Sequence, residues 1–520
     1  MENVFILNVT LSILVLCILK IIFVSLRRIG KNLPGPWPLP FIGNLLDIPK
    51  DYGWLHWAKH KELYGPMSSV SVFGLKLVLI NDAQIANELF EKRSSIYSDR
   101  PSLVFAGEMV GFANGVGLLP YGPRFRAHRK NISHVLGSKS AVSQFNPLME
   151  VETRRFLSRV LAQPDLLQNH LRKFAGAIIL KISYGYTVHP TGNDPLVDLV
   201  EQAHKELTLA AAPGAWLVDF IPVLRYIPDW MPGAGFKRIA KKWSKTLKDC
   251  TDKPHAFVRR QMANGLAIPS FTSALLEINS DAEGDFMVKW SAASLFGGGT
   301  DTTVSALYAF YLAMLLNPEV QGKGQAELDA VVGTDRLPSF EDRSRLPYIE
   351  AIVKEVLRWN PVAPMGLPHV SAEDDVYNGY YIPKGSILMA NIWQFTHDPA
   401  TYHQPFEFKP ERFLSAKPER DPHTLSFGFG RRICPGKELA DSSIFLGIAM
   451  SLAAFNITKA HDQHGFEIDP GCEFTSGIIS HPKPFRCNVA PRSEKAATLI
   501  RSVDEEYPAV ESDAVVLKEL

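Results

Sequence analysis

Three observations predict a mainly helical body with a minor β region, an α+β fold. Segments between about 120 and 360 place apolar residues at three- and four-residue spacing, β-prone runs are confined to two short regions, and no domain-sized linker divides the chain. With 520 residues, 46% hydrophobic and 21% charged, the chain can bury a substantial core. Lys plus Arg (55) nearly balance Asp plus Glu (54), so no strong global field is available to attract nucleic acid. The five cysteines, Cys17, Cys250, Cys434, Cys472 and Cys487, are odd in number and widely spread. They make neither a disulfide framework nor a Cys-x-x-Cys zinc spacing, and they fit a reducing compartment.

From Val4 to Leu26 the chain is almost wholly apolar, interrupted by Asn8, Thr10, Ser12 and Lys20. That run exceeds the roughly 20 helical residues that cross a bilayer's hydrocarbon. Arg27, Arg28 and Lys31 follow at once and orient the downstream chain toward the cytosol. Residues 1–28 are therefore expected to be a single-pass anchor, transmembrane over about 4–26. A cleaved signal peptide fits less well, because the run is too long and no small-residue cleavage pattern precedes the arginines. Residues 29–44 read as a basic, proline-rich hinge, stiff and helix-incompatible over Leu33–Pro40.

The body is expected over 45–492. Strands are predicted at Met67–Leu75 and Lys76–Ile80, then a helix near Ala83–Arg93. Helical spacing marks Leu148–Leu161, Leu171–Ile182, Ser291–Leu316 and Tyr348–Trp359. Strand and turn signals return between Val370 and Met389, around Asn378-Gly379 and Pro383-Lys384-Gly385. A last long helix is predicted from Gly436 to about Ala454. Residues 493–520 carry Asp504-Glu505-Glu506 and are expected to be a disordered acidic tail.

The most informative stretch is Phe427-Gly428-Phe429-Gly430-Arg431-Arg432-Ile433-Cys434-Pro435-Gly436. A thiolate ligating haem iron needs an open loop, backbone N–H groups aimed at sulfur and a cation near a haem propionate. Taken alone, Cys434 reads equally well as a buried free cysteine that merely packs. Further upstream, Gly297-Gly298-Gly299-Thr300-Asp301-Thr302-Thr303 lies inside a helical segment. Three interior glycines cost roughly 1 kcal/mol each relative to alanine, so they need a reason, such as a helix that widens or admits a ligand. A broken helix with Asp301 as the next N-cap is the other reading. Glu355 and Arg358 share one helical face, a spacing that on a surface means little.

The ten-residue cysteine pattern resembles the cysteine-ligand loop of the cytochrome P-450 superfamily, the haem-thiolate monooxygenases. The glycine run resembles that family's (Ala/Gly)-Gly-x-(Asp/Glu)-Thr motif, Glu355-x-x-Arg358 its E-x-x-R pair, and Pro410-Glu411-Arg412-Phe413 the loop supplying the third partner. The resemblance spans 33 to about 490, with four motifs in order. It implies haem b (iron protoporphyrin IX) between a long Gly-containing helix and the cysteine loop, with Cys434 as axial iron ligand. Phe427, Arg432 and Gly436 would contact the cofactor, with Arg432 on a propionate. Gly298 and Gly299 would form the dioxygen groove; Asp301 and Thr302 would deliver protons to the distal oxygen. Glu355, Arg358 and Arg412 would buttress the pocket. Arg129 matches the arginine of a W-x-x-x-R helix, but Phe125 stands where tryptophan is usual and removes an indole N–H donor. His369, after Pro368, matches a position that often contacts a propionate.

By the same resemblance, the reaction is insertion of one oxygen atom from O2 into a C–H or C=C bond. Neither a Gly-x-Gly-x-x-Gly after a strand nor a fused flavin domain is present, so NADPH electrons must come from a separate partner. The expected partner is NADPH-cytochrome P-450 reductase, with a cytochrome b-type donor as a second source. Arg126, Lys130, Arg431 and Lys437 are candidate docking cations. The expected location is the endoplasmic reticulum membrane, with a cytosolic, monomeric catalytic body. Segments matching pocket regions (Ala106–Leu118, Leu207–Val223, Leu295-Phe296, Val362–Leu367, Phe474–Ile479) are apolar and suggest a lipophilic substrate. The motif style resembles fungal members in secondary metabolism of terpenoids, polyketides or alkaloids. Two alternatives remain: an isomerase or dehydratase consuming a hydroperoxide without a reductase, and a non-catalytic haem-binding sensor or scaffold.

Overall fold

The computed structural model describes residues 30–190, 192–278, 281–508 and 510–519. The expected anchor falls outside them. Among the described residues no helix is long and apolar enough to cross a membrane.

Strands β1 (Met67–Val72) and β2 (Leu75–Ile80) form an antiparallel hairpin. The proline-rich segment lies along it instead of forming a free linker. Ser69 N donates to the Pro34 carbonyl at 2.8 Å, and a Cβ on Gly35 would sit 2.0 Å from the Ser69 carbonyl oxygen. Only glycine permits that approach.

The longest helices of the first part of the body are α1 (Pro123–Leu136), α2 (Asn146–Ala162), α3 (Leu167–Tyr184), α4 (Pro195–Ala210), α5 (Gly235–Ala263) and α6 (Ala282–Leu316). Helix α6 starts earlier than its apolar spacing predicts. Asp281 caps it by accepting from Gly284 N at 2.6 Å, and Glu283 and Asp285 favour the positive end of the helix dipole. From Thr303 to Leu315 every residue of α6 is buried, the signature of a helix surrounded by others. It packs most extensively on α3, and also on α1. Beyond a further helix at Pro318–Val331, helix α7 (Pro347–Trp359) turns its apolar face toward the same core.

The second β region contains β3 (His369–Val370), β4 (Asp375–Tyr377), β5 (Tyr380–Ile382) and β6 (Ile387–Ala390). The four-stranded sheet has the order β1-β2-β6-β3, with β2 and β6 parallel. Asn378 and Gly379, both at positive φ, turn the β4–β5 hairpin. Helix α8 (Lys437–Ala454) leaves the cysteine loop and packs on α2, α6 and α7. Strands β7 (Phe455–Lys459) and β8 (Cys487–Pro491) pair beyond it.

The C-terminal stretch expected to be disordered is folded. Helix α9 (Glu494–Glu506) buries Ala496, Ala497, Ile500 and Val503 against α2. Ser493 caps it, and Arg154 of α2 grips Glu506 at 2.7 Å. Helix α10 (Ala514–Leu517) follows, fixed by Asp513 accepting from Thr187 N at 2.7 Å. The acidic composition concealed an apolar stripe at helical spacing.

Candidate functional site

The cysteine loop is held by its glycines. Gly428 and Gly430 adopt φ of +77° and +54°, and a Cβ on Gly430 would lie 2.1 Å from the Phe90 carbonyl oxygen. Cys434 N donates to the Phe427 carbonyl at 2.8 Å, closing the loop. Cys434 is exposed at its immediate surface yet enclosed by protein at longer range. Its thiol therefore faces an interior space rather than bulk solvent. Burial pushes that thiol up; the Gly436 N–H, Arg129 and Lys437 oppose it. The donors around sulfur are thus arranged for a negative ligand.

A crowded set of cations surrounds this loop. Arg432 donates from Nε to the Ser98 carbonyl at 2.7 Å and from Nη2 to the Leu119 carbonyl at 2.8 Å. Its guanidinium lies 3.8 Å from the Phe125 ring centroid. Arg129 Nη1 donates to the Ile433 carbonyl at 2.7 Å, directly before the cysteine. Arg100, which no motif marked, donates from Nη1 to the Leu367 and Pro368 carbonyls at 2.8 and 2.6 Å. Burial and the neighbouring Arg432 push Arg100 down to about 9. Burial and Arg129 push Arg432 down to about 10.

His369 Nδ1 donates to the Tyr97 carbonyl at 2.6 Å, and the ring stacks on Phe90. Burial, Arg100 and Arg432 hold it well below the usual histidine range. The carboxylate acting on Arg100 and Arg432 is Asp99, which also accepts from Tyr121 N. Two buried guanidiniums with one carboxylate between them are under-neutralised. A group carrying two carboxylates, such as haem with its propionates, would relieve them. The donor set fits that cofactor.

On α6, Thr302 Oγ1 donates to the Gly298 carbonyl at 2.9 Å, so the two share a face one turn apart. No protein atom lies within 4 Å of where a Cβ on Gly298 would project. Gly299 differs from the groove role expected for it. A Cβ there would meet Ile179 of α3 at 2.8 Å, so its small size serves helix packing. Gly297 accepts through its carbonyl from His204 Nε2 of α4 at 2.8 Å. Asp301 Oδ2 pairs with His481 Nε2 at 3.1 Å. Neither histidine stood out in the sequence, since each meets its partner across a large separation.

Glu355, Arg358 and Arg412 come together completely buried. Arg358 donates to both carboxylate oxygens of Glu355 at 2.8 Å, and Arg412 Nε lies 3.1 Å from Oε2. Arg358 also donates to the Pro405 and Glu407 carbonyls, and Arg412 to the His403 carbonyl. The triad ties α7 to the loop preceding the cysteine and touches neither Cys434 nor Asp301. Its role is architectural.

Four of the apolar segments expected to line a pocket converge. Val116 N donates to Ser294 Oγ of α6 at 3.1 Å, Gly117 abuts Leu367, and Gly477 abuts Thr208. Trp216 stacks on Phe105 with ring centroids 3.6 Å apart. Phe296 instead packs into the core against Tyr184.

A family model described as Cytochrome P450 matches residues 33–489. The chain is 55% identical over 484 residues to the cytochrome P450 monooxygenase claR of Ampulloclitocybe clavipes, covering 92% of this chain and 90% of that protein. It is 47% identical over 506 residues to the cytochrome P450 monooxygenase ppsD of Aspergillus oryzae, covering 95% of each. To the O-methylsterigmatocystin oxidoreductase of Aspergillus flavus it is 43% identical over 492 residues, 92% of each. With the matched span enclosing the cysteine loop, the glycine-bearing helix and the buried triad, the chain belongs to the cytochrome P450 family of monooxygenases.

Proposed function

We propose that this enzyme is a membrane-anchored haem-thiolate monooxygenase of fungal secondary metabolism. It inserts one oxygen atom from O2 into an uncharged lipophilic molecule, by hydroxylation or epoxidation. Electrons come from NADPH through a separate reductase. The observation that carries the reading is the enclosed Cys434 thiol, with Arg129 bonded to the residue before it, together with the under-neutralised pair Arg100 and Arg432. Cys434 would hold the iron, and Arg100, Arg129, Arg432 and His369 the propionates. When bound, the haem-thiolate supplies dioxygen activation and oxygen insertion.

The chain's own residues do the rest. Gly298 keeps the centre of α6 open, and Thr302 presents a hydroxyl on the same face. Asp301, one residue before it, holds a proton-transfer position beside His481, with His204 of α4 and Arg172 of α3 acting on its charge. The converging apolar segments orient a lipophilic substrate and exclude water. The intact Asp301-Thr302 pair favours this reading over a hydroperoxide isomerase, which would need no proton delivery to O2.

Membrane association is supported by exposed apolar residues continuous with the chain's entry. Phe41 is 96% exposed, Phe73 N donates to the Ile42 carbonyl, and Phe73 packs on Phe220. Leu217, Ile221 and Val223 continue the exposed apolar surface. The apolar run at 4–26 and the arginines after it support an endoplasmic reticulum location with a cytosolic body. The test is co-expression with a reductase, supplying NADPH, 18O2 and terpenoid, polyketide and alkaloid precursors. A product carrying one 18O atom, formed only with reductase, is expected; reductase-independent turnover overturns the reading.

A further inference from the structure

Asp301 meets a histidine that is rigidly presented. The hairpin carrying His481 is fastened to α6 by Ser305 Oγ, which donates to the Ser480 carbonyl at 2.5 Å. Ser480 N donates to the Val362 carbonyl at 2.9 Å, and His481 N to Thr475 Oγ1 at 3.0 Å. Nε2 then lies 3.1 Å from Asp301 Oδ2. A carboxylate only accepts, so Nε2 carries the proton and Nδ1 of the neutral ring is a lone pair. That Nδ1 is buried and has no hydrogen-bond partner.

The remaining charged groups surround the pair from several elements. They are His204 and Glu201 on α4 and Arg172 on α3, with Lys205 paired to Glu201; Glu473 and Lys483 near His481 in sequence pair with each other at the surface. Burial pushes the Asp301 carboxyl up, but His481, His204 and Arg172 outweigh it and hold the group below the ordinary carboxylate range. At neutral pH such a group is already ionised. It can hand on a proton only if one is first delivered to it.

We propose that His481 is the positioning residue that reloads Asp301 with protons, making a His481–Asp301–Thr302 relay. The inference rests on the monooxygenase reading above. A proton relayed to the buried Nδ1 by an internal water adds there and forms the imidazolium. The Nε2 proton then moves to Asp301 Oδ2, leaving a neutral ring and a carboxylic acid. The acid passes its proton toward the Thr302 hydroxyl and returns to carboxylate. The ring resets by losing the Nδ1 proton to that water and regaining one at Nε2, which leaves its proton count unchanged. Two passes supply the two protons that cleavage of the dioxygen bond consumes.

The experiment uses the full chain with haem and reductase in phosphatidylcholine vesicles, following NADPH oxidation and peroxide release without added substrate. H481Q keeps a donor to Asp301 but cannot carry a proton. It is expected to slow NADPH oxidation by about tenfold or more and to flatten its profile between about pH 6 and 9. H481Q/D301N should be no slower than D301N. Unchanged rate and profile in H481Q, or losses that multiply in the double variant, overturn the proposal. A readout independent of turnover is deuterium exchange at the imidazole C2 carbon, read by mass spectrometry. The exchange profile of His481 should differ between the wild type and D301N; identical profiles overturn the coupling. A wild-type protein lacking the thiolate signature with carbon monoxide overturns the monooxygenase reading. With that signature present, the His481 results judge the relay alone.

Discussion

The guanidinium of Arg432 lies 3.8 Å from the ring centroid of Phe125. The sequence pattern around Arg129 leads to the expectation of tryptophan at this position; the phenyl ring found there offers Arg432 a cation–π contact. The ring orients Arg432 while its N–H groups are held by the Ser98 and Leu119 carbonyls. A contact of this kind contributes about 1–2 kcal/mol when desolvated. Phe125→Leu keeps the apolar volume roughly filled but removes the ring face. The haem-to-protein ratio after purification should fall several-fold, and Arg100→Met should lower it similarly; the pyridine haemochrome assay measures both.

Glu355 sits between two arginines with no exposure. Breaking one partner leaves an uncompensated buried charge, at a cost of about 3–5 kcal/mol. E355A should therefore abolish or sharply reduce folded protein. E355M/R358L, which removes the pair together, should lose less than the two single losses summed. Thermal unfolding of the apoprotein is the measurement, because the triad acts on the scaffold and not on the iron.

His423 couples the cysteine loop to pH. Nδ1 lies 2.7 Å from Asp421 Oδ1 and Nε2 3.0 Å from Asp441 Oδ1, and the ring stacks on Phe427. Burial opposes the charged ring, but the two carboxylates outweigh it and raise His423 to about 9 from its ordinary 6.5. The resulting stabilisation, on the order of 3 kcal/mol, is fully present below pH ~6.5. It is lost as pH rises through about 9. Denaturant midpoints should fall across that window in the wild type and stay nearly flat in H423Q.

Arg126 and Arg431 flank one ring, their guanidiniums 5.8 and 5.3 Å from the Tyr121 centroid. Both are exposed on the cysteine-loop side. R126E and R431E should slow reduction by the reductase by about tenfold at low ionic strength, with the difference shrinking as salt rises. Stopped-flow reduction kinetics decide this; a rate unaffected by either reversal removes the docking surface.

The residues readable in the sequence were those whose backbone or spacing is unusual. Gly428 and Gly430 announce a loop that only glycine can make, and Gly297 to Gly299 announce a helix under special demand. What stayed hidden depends on tertiary approach. Arg100 belongs to no motif; its hydrogen bonds to the Leu367 and Pro368 carbonyls, far away in sequence, are what set it against Arg432. His204 and His481 reach α6 from distant elements, so no local pattern signals them. Gly299 and Gly298 look alike in sequence, yet one is set against Ile179 and the other faces open space. The tail from 493 was obscured because its charge dominated the composition while four apolar residues carried its packing.

The central claim is the bond between Cys434 and haem iron, and the spectrum of the dithionite-reduced, carbon-monoxide-treated protein tests it most directly. A strongly red-shifted Soret band is predicted for the wild type, and its loss is predicted for a C434S variant that still folds. A folded, haem-loaded wild type without the red shift, or a C434S protein that keeps it, would contradict the account.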